Sequence, residues 1–350
     1  MTDSPAQPHS PRAGDAPQPP AAQAAPSLPS LSMELFPPRP GRSSSQTWAA
    51  LDRLLGTCPD FVSVTYRPTF VTDDDGTVRV VRQRNAAEDV IAHVLSTSQV
   101  PLMAHLTCIG YRAHTVADIV RRFLDMGVRR FLALRGDPPA GASPEDLGGE
   151  LRHASDLVSL IREVEAEYFD DGARHVHIAV AAYPAATDHG REVEVLAAKQ
   201  AAGADSAVTQ VFYDAEDYLA LQRACLYSGI TLPLLPGLIP LTDLRRLTRL
   251  EALTGVRVPS DLRRLLDRSD GVELFGRGID ATLRLATDLL DGGAPGLHLY
   301  TFNRARPALD VVSQLRVGGI LAGSSPDLRT QHDIARSYLN AVPGGGHRMP

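Results

Sequence analysis

Residues 102–134 read LMAHLTCIGYRAHTVADIVRRFLDMGVRRFLAL. A short apolar run, Leu102–Leu106, is followed by a stretch with helical patterning, Thr115–Met126, and then by a second run, Arg130–Leu134. Runs this short and this apolar suit strands buried on both faces, and a helix between two of them suits a parallel crossover. The alternation continues outward in both directions. Upstream lie the runs Ser32–Phe36 and Phe61–Val64, with helical patterns at Gln46–Leu55 and Asn85–Thr97. Downstream lie His177–Ala181, Asp205–Thr209, Leu232–Leu235 and Leu297–Tyr300. The helical stretches among these are Ala154–Phe169, Glu192–Ala202, Ala215–Ser228 and Leu241–Leu253. Two further helices, about Ser260–Arg268 and Val272–Leu290, precede the eighth strand as an insertion. Eight strands buried on both sides, each followed by a helix, predict an α/β fold of the (β/α)8 TIM-barrel type rather than an open sheet.

The doubly wound alternative lacks its motif. No GxGxxG follows the first strand, which runs into Phe36-Pro37-Pro38 and offers no amides to a pyrophosphate. GxxxxGK[ST] and HExxH are absent as well.

Composition narrows the class. With 43% hydrophobic and 22% charged residues, the chain suits an ordinary soluble globular protein. A net charge of -6 without a block of like charges argues against nucleic acid or an anionic membrane as partner. Cys58, Cys108 and Cys225 lie far apart, which fits neither a disulfide framework nor a zinc site and suits a reducing compartment. No apolar run is long enough to span a membrane, and the N-terminus lacks the pattern of a secretory signal, so a cytoplasmic location is expected. Residues 1–30 carry eight prolines among Ala, Gln and Ser and read as a disordered tail. One domain is expected over residues 31–340. Of the 35 basic residues only Lys199 is a lysine.

In a barrel, function gathers at the C-terminal ends of the strands. Glu34 lies in strand 1, Thr65 after strand 2, His105 and Thr107 at strand 3, and Leu134-Arg135-Gly136-Asp137 at the end of strand 4. Tyr183 follows strand 5, Gln210 strand 6, and Asn303-Arg304 strand 8. Singly each is an ordinary cap or turn residue; together they indicate a barrel enzyme.

Specific words go further. Met33-Glu34-Leu35-Phe36-Pro37-Pro38-Arg39 resembles the opening strand of methylenetetrahydrofolate reductases, whose pattern is FEFFPP. Phe61-Val62-Ser63-Val64-Thr65-Tyr66, Ala104-His105-Leu106-Thr107-Cys108 and Ala133-Leu134-Arg135-Gly136-Asp137-Pro138-Pro139 are similar to that family's next three strands. Ala179–Pro184, Gly203-Ala204-Asp205 with Thr209-Gln210, Pro236-Gly237 and Tyr300–Ala305 follow in family order.

The resemblance implies transfer of a hydride from NAD(P)H through FAD to 5,10-methylenetetrahydrofolate, giving 5-methyltetrahydrofolate in one-carbon metabolism. It makes Glu34 the general acid that protonates the leaving nitrogen. Its apolar neighbours on the strand are expected to raise its pKa. Asp137 becomes the carboxylate that favours a cationic iminium. Gln210, Tyr183 and Arg304 become substrate contacts, with Arg304 toward the glutamate tail. Thr65, His105, Thr107, Leu134, Arg135, Gly136, Asp137, His153, Ala154 and Lys199 would hold the cofactor. The folate would be the partner, with no nucleic acid and no membrane, and a homo-oligomer is compatible with the resemblance.

The chain also departs from the family. Arg67-Pro68 stands where a glycine-rich turn is usual, and Pro68 restricts Arg67 to extended conformations. A flavin-contacting histidine is replaced near Thr187, with His189 close by. Val195 and Ala198 replace an asparagine and an arginine for the dinucleotide, while Lys199 matches the family lysine. Three readings stay open: an FAD enzyme that holds its cofactor weakly, a flavin-free reductase with direct hydride transfer, and a non-catalytic barrel that binds folate or a partner. A hydrolase with paired carboxylates is also conceivable, but no aromatic sugar platform accompanies it.

Overall fold

The computed structural model describes residues 29–38, 44–66, 68–74, 78–81, 85–139, 141–143, 145–267 and 271–321. Arg39, Arg67, Arg268, residues 1–28 of the expected tail and residues 322–340 of the expected domain lie outside the described residues.

The strands of the main sheet are β1 (Ser30–Leu35), β2 (Phe61–Val64), β5 (Leu102–Thr107), β6 (Arg130–Leu134), β7 (His177–Ala182), β8 (Ser206–Thr209), β9 (Leu234–Leu235), β10 (Gly237–Leu238) and β11 (Gly296–Tyr300). They hydrogen-bond in the order β10-β11-β1-β2-β5-β6-β7-β8-β9, and the pairings are parallel. The two ends of this order are one interrupted strand. Pro236 sits between β9 and β10 and has no N–H to give to a ladder. β9 pairs with β8 and β10 with β11, while the Pro236 carbonyl accepts from His298 N–H at 2.9 Å. The sheet therefore closes through residues 234–238 into the expected eight-stranded barrel.

The helices are α1 (Ser44–Leu55), α2 (Ala86–Thr97), α3 (Ala113–Asp125), α4 (Ala154–Phe169), α5 (His189–Ala201), α6 (Ala215–Tyr227), α7 (Leu244–Thr254), α8 (Ser260–Leu266), α9 (Gly271–Asp291) and α10 (Ala305–Val317). Side-chain oxygens of Asn85, Asp188, Asp214 and Asp243 accept from first-turn amides, which fixes where α2, α5, α6 and α7 begin. The Asp243 cap starts α7 three residues later than apolar spacing alone suggests.

Strand residues of one parity, such as Met33, Val64, Leu106, Phe131 and Val180, pack outward against the helices in the largest buried cluster. The other parity points into the barrel. Its middle is filled by Met103, Leu132, Ala179, Val208 and Leu235. Below them Arg130 lies over the Phe61 ring at 5.9 Å, and His177 hydrogen-bonds Ser206 at 2.8 Å. His298 is buried between Ser32 (2.8 Å) and Ser63 (3.4 Å).

The segment 68–84 contains an antiparallel hairpin of β3 (Thr69–Thr72) and β4 (Val78–Val81), outside the barrel sheet. Its Val80 fits against Gly110, where a Cβ would come 2.5 Å from the valine methyl. A second, smaller core joins α7, α8 and α9 to the mouth, centred on Leu241, Leu247, Val258 and Leu262 and touching Tyr300 and Phe302.

Candidate active site

Inward parity carried to the C-terminal ends of the strands brings Glu34, Thr65, His105, Thr107, Leu134 and Tyr300 to the top of the barrel interior. Glu34 is 6% exposed. Its Oε1 accepts from the Thr65 hydroxyl at 2.5 Å, and His105 Nδ1 lies 3.8 Å from the same oxygen. Thr301 Oγ1 donates to the Glu34 backbone carbonyl at 2.7 Å, which ties the end of β1 to the loop after β11. The Asn303 side chain completes that tie by bonding both N–H and C=O of Phe36, at 2.9 and 2.7 Å. The Phe36 and Phe302 rings stack above it, 5.1 Å apart.

Tyr300 lay unassigned within a recognisable word of the sequence. It forms a wall of the site: its hydroxyl donates to the Thr209 carbonyl at 2.6 Å, passing over Gly237. A Cβ on Gly237 would lie 2.3 Å from that carbonyl and 2.5 Å from the Tyr300 ring, so only glycine fits. Burial pushes the Tyr300 phenol well up, and the Glu34 and Tyr183 groups nearby add to the shift. The inward parity of Tyr300, two residues beyond His298, is the signal that would have found it.

After β6 the chain turns at Gly136, whose φ is +88° and whose missing side chain leaves Thr107 and Ile109 their space. The turn exposes Arg135 and Asp137, and among the described residues Asp137 has no ion pair. The Thr107 hydroxyl is buried with no hydrogen-bond partner among the described residues. Cys108 lies beneath this turn, its thiol 3.7 Å from the carbonyls of Arg135 and His153. Desolvation, followed by Asp156, pushes that thiol up to about 12, which removes it as a nucleophile at neutral pH. His153 is an exposed N-cap of α4, next to the half-buried Ala154.

Tyr183 is 43% exposed at the mouth beyond β7. Desolvation of its phenol, then the carboxylates of Glu192 and Asp137, hold it above its ordinary pKa. Gln210 gives its backbone N–H to the Ala182 carbonyl at 2.7 Å, and its Oε1 accepts from Val211 N–H at 2.9 Å. Arg304 is exposed at the start of α10, and its Nη1 lies 3.6 Å from Asp243. Arg246, which sequence reasoning missed, approaches the same carboxylate at 4.0 Å and covers the Phe302 ring at 5.3 Å. Only the folded chain places α7 beside the end of β11.

Lys199, which the resemblance makes a cofactor contact, lies on the buried face of α5. It is 5% exposed, and its Nζ donates to the Ala181 carbonyl at 2.7 Å. Val195 and Ala198 lie on the exposed side of the same helix and bring no hydrogen-bonding side chains. Thr187 is exposed, and His189 Nε2 donates to the Pro184 carbonyl at 2.7 Å. Pro68 is partly buried at the entry to the hairpin.

The arrangement is a buried carboxyl held by a hydroxyl on one side of a mouth and an exposed carboxylate on the other. It suits proton donation to a ligand whose cationic form the second carboxylate then favours. Among the described residues no helix is long and apolar enough to cross a membrane.

Comparison with known proteins places the chain in a family. The family model described as methylenetetrahydrofolate reductase matches residues 22–316. The 5,10-methylenetetrahydrofolate reductase of Escherichia coli (strain K12) is 30% identical over 294 residues, covering 82% of this chain and 91% of that protein. A probable methylenetetrahydrofolate reductase (NADPH) of Caenorhabditis elegans is 30% identical over 290 residues, covering 81% of this chain and 42% of that protein. A probable methylenetetrahydrofolate reductase (NADH) of Oryza sativa subsp. japonica is 27% identical over 303 residues, covering 81% of this chain and 48% of that protein. With its barrel closed, its strand-end residues gathered and most of its length matched, the chain belongs to the methylenetetrahydrofolate reductase family of oxidoreductases.

Proposed function

We propose that the chain reduces 5,10-methylenetetrahydrofolate to 5-methyltetrahydrofolate, with NAD(P)H as the source of hydride and a weakly held FAD as relay. The observation that carries this reading is the Glu34 carboxyl, 6% exposed and fixed at 2.5 Å by Thr65 at the top of the barrel. There it gives a proton to the leaving nitrogen of the imidazolidine ring. The C–N bond breaks, the one-carbon unit becomes an iminium carbon, and hydride addition to that carbon makes the methyl group. The negative charge of Asp137 favours the iminium over the closed ring. Gln210 and Tyr183 orient the folate, and Arg304, with Arg246 beside it, faces its carboxylate tail.

The residues present fit the ring end of a flavin better than its dinucleotide end. Thr107 has a buried hydroxyl to give, and Gly136 keeps side-chain bulk out of the turn. Thr65, His105, Leu134, Arg135, Asp137, His153 and Ala154 complete the set that would hold it. When bound, FAD accepts hydride from the nicotinamide and yields it to the substrate. On α5 the ammonium of Lys199 is already engaged with Ala181, and Val195 and Ala198 add no donors, which also favours the flavin-free reading with direct hydride transfer.

Turnover of methylenetetrahydrofolate with NADH and with NADPH, followed by product identification and the visible spectrum of the dialysed protein, tests both readings. We expect methyl product, and yellow colour that fades on dilution. Full-rate reduction by a colourless protein would establish direct transfer, and absence of methyl product would end the proposal.

A further inference from the structure

We propose that Glu192 and Lys199 are positioning residues, an oppositely charged pair on the buried face of α5 that clamps the end of β7 and so fixes Tyr183 and Gln210 at the mouth. The buried residues of α5 are Glu192, Leu196 and Lys199, one stripe along the helix against the barrel. Two charges on such a stripe cost solvation unless their hydrogen bonds are met. Here both are met by the backbone that flanks Tyr183. Lys199 Nζ donates to the Ala181 carbonyl at 2.7 Å, and Glu192 Oε1 accepts from the Tyr183 N–H at 3.0 Å. The ammonium also lies 5.8 Å from the centre of the Tyr183 ring, close enough for a cation–π contact.

The neighbouring backbone groups are tied as well. The Ala182 carbonyl takes the Gln210 N–H at 2.7 Å, the Tyr183 carbonyl takes the Ala186 N–H at 3.1 Å, and the Pro184 carbonyl takes His189 Nε2 at 2.7 Å. A turn held at five successive groups presents the half-exposed Tyr183 ring in one orientation, as a platform for a flat ligand ring. Desolvation moves both members of the pair toward neutrality, the Lys199 pKa downward and the Glu192 pKa upward, each opposed by its partner's charge. A phosphate would have to pull Lys199 out of this arrangement. Only the nature of the flat ligand rests on the folate-reducing reading.

The test uses Lys199→Met, Glu192→Met, the double variant and Lys199→Arg in the full chain, with amide hydrogen exchange over residues 181–186 and steady-state kinetics. Each single methionine variant is expected to speed exchange at the Tyr183 amide. It should also raise KM for methylenetetrahydrofolate about tenfold, about 1.4 kcal/mol, leaving KM for NAD(P)H and flavin retention unchanged. The double variant, which leaves no unpaired buried charge, should lose less than the sum of the singles and serves where a single fails to fold. Lys199→Arg should recover part of the protection. Unchanged exchange, or a tenfold loss of NAD(P)H or FAD binding confined to the Lys199 variants, would overturn the clamp. If the parent enzyme makes no methyl product, the folate reading fails while the exchange measurements still decide the clamp.

Discussion

Two carboxyl groups at one mouth take different settings because of what surrounds each side chain. Glu34 lies on an inward strand position with Thr65 and His105 around it, whereas Asp137 stands on an exposed glycine turn without an ion pair among the described residues. The first is suited to deliver a proton and the second to hold a charge. Glu34→Gln keeps the shape and removes the proton, so folate reduction should fall by about 10²-fold or more. Oxidation of NAD(P)H by a quinone acceptor, which needs no such proton, should survive where flavin is bound; equal loss of both activities would take Glu34 out of this role. Asp137→Asn should slow folate turnover more than nicotinamide oxidation, and unchanged folate kinetics would reduce Asp137 to a turn residue. Position at the C-terminal end of a strand was enough to single out Glu34, Thr65, His105 and Thr107. It did not reveal that Lys199 turns inward, because a lysine on a helix reads as exposed until the loop carbonyl it meets is known.

Elements show where sequence patterning stops. The eight strand positions are legible because each strand is buried on both faces and so reads as an apolar run. Residues 234–238 are the partial exception, since Pro236 divides that strand into two pairs of residues serving different neighbours. The hairpin of β3 and β4 was hidden because its half-exposed strands lack a strong apolar run, and its place is set by contacts remote in sequence, Val80 against Gly110. Gly237 was visible only as part of a word, and its reason is the passage of Tyr300 to Thr209. Gly237→Ala should destabilise the protein by about 1–3 kcal/mol through overpacking, and it should depress folate turnover by displacing the wall next to Glu34. Tyr300→Phe keeps the ring and loses the hydrogen bond, so it should cost about 1 kcal/mol. Urea unfolding of both variants checks this, and an unperturbed Gly237→Ala midpoint would mean that the barrel yields there.

At the scale of the whole molecule, the barrel interior is polar at its lower end, and that has a consequence for stability. His298 is buried between two serine hydroxyls, and burial pushes its pKa down to about 3. His177 is pushed down to about 4 by desolvation and then by the nearby Arg130 charge, partly offset by Asp205. Both rings are thus neutral in the folded barrel at pH values where an unfolded chain protonates its histidines, near 6.5. Below that pH the unfolded state binds more protons than the native state, so stability must decline as pH falls. The contribution is fully present above about pH 6.5 and is lost progressively down to the folded values near 3 and 4. Each histidine adds a slope of up to about 1.4 kcal/mol per pH unit. Carboxylates that titrate mainly below about pH 4.5 add to it only later. Urea unfolding between pH 7 and 5 should therefore show a falling midpoint well before acid denaturation. His298→Gln retains an amide that can bond Ser32 or Ser63 and cannot bind a proton. It should lower stability at pH 7 yet flatten the slope between pH 6.5 and 5, and a variant that keeps the parent slope would show that His298 is not the group being protonated.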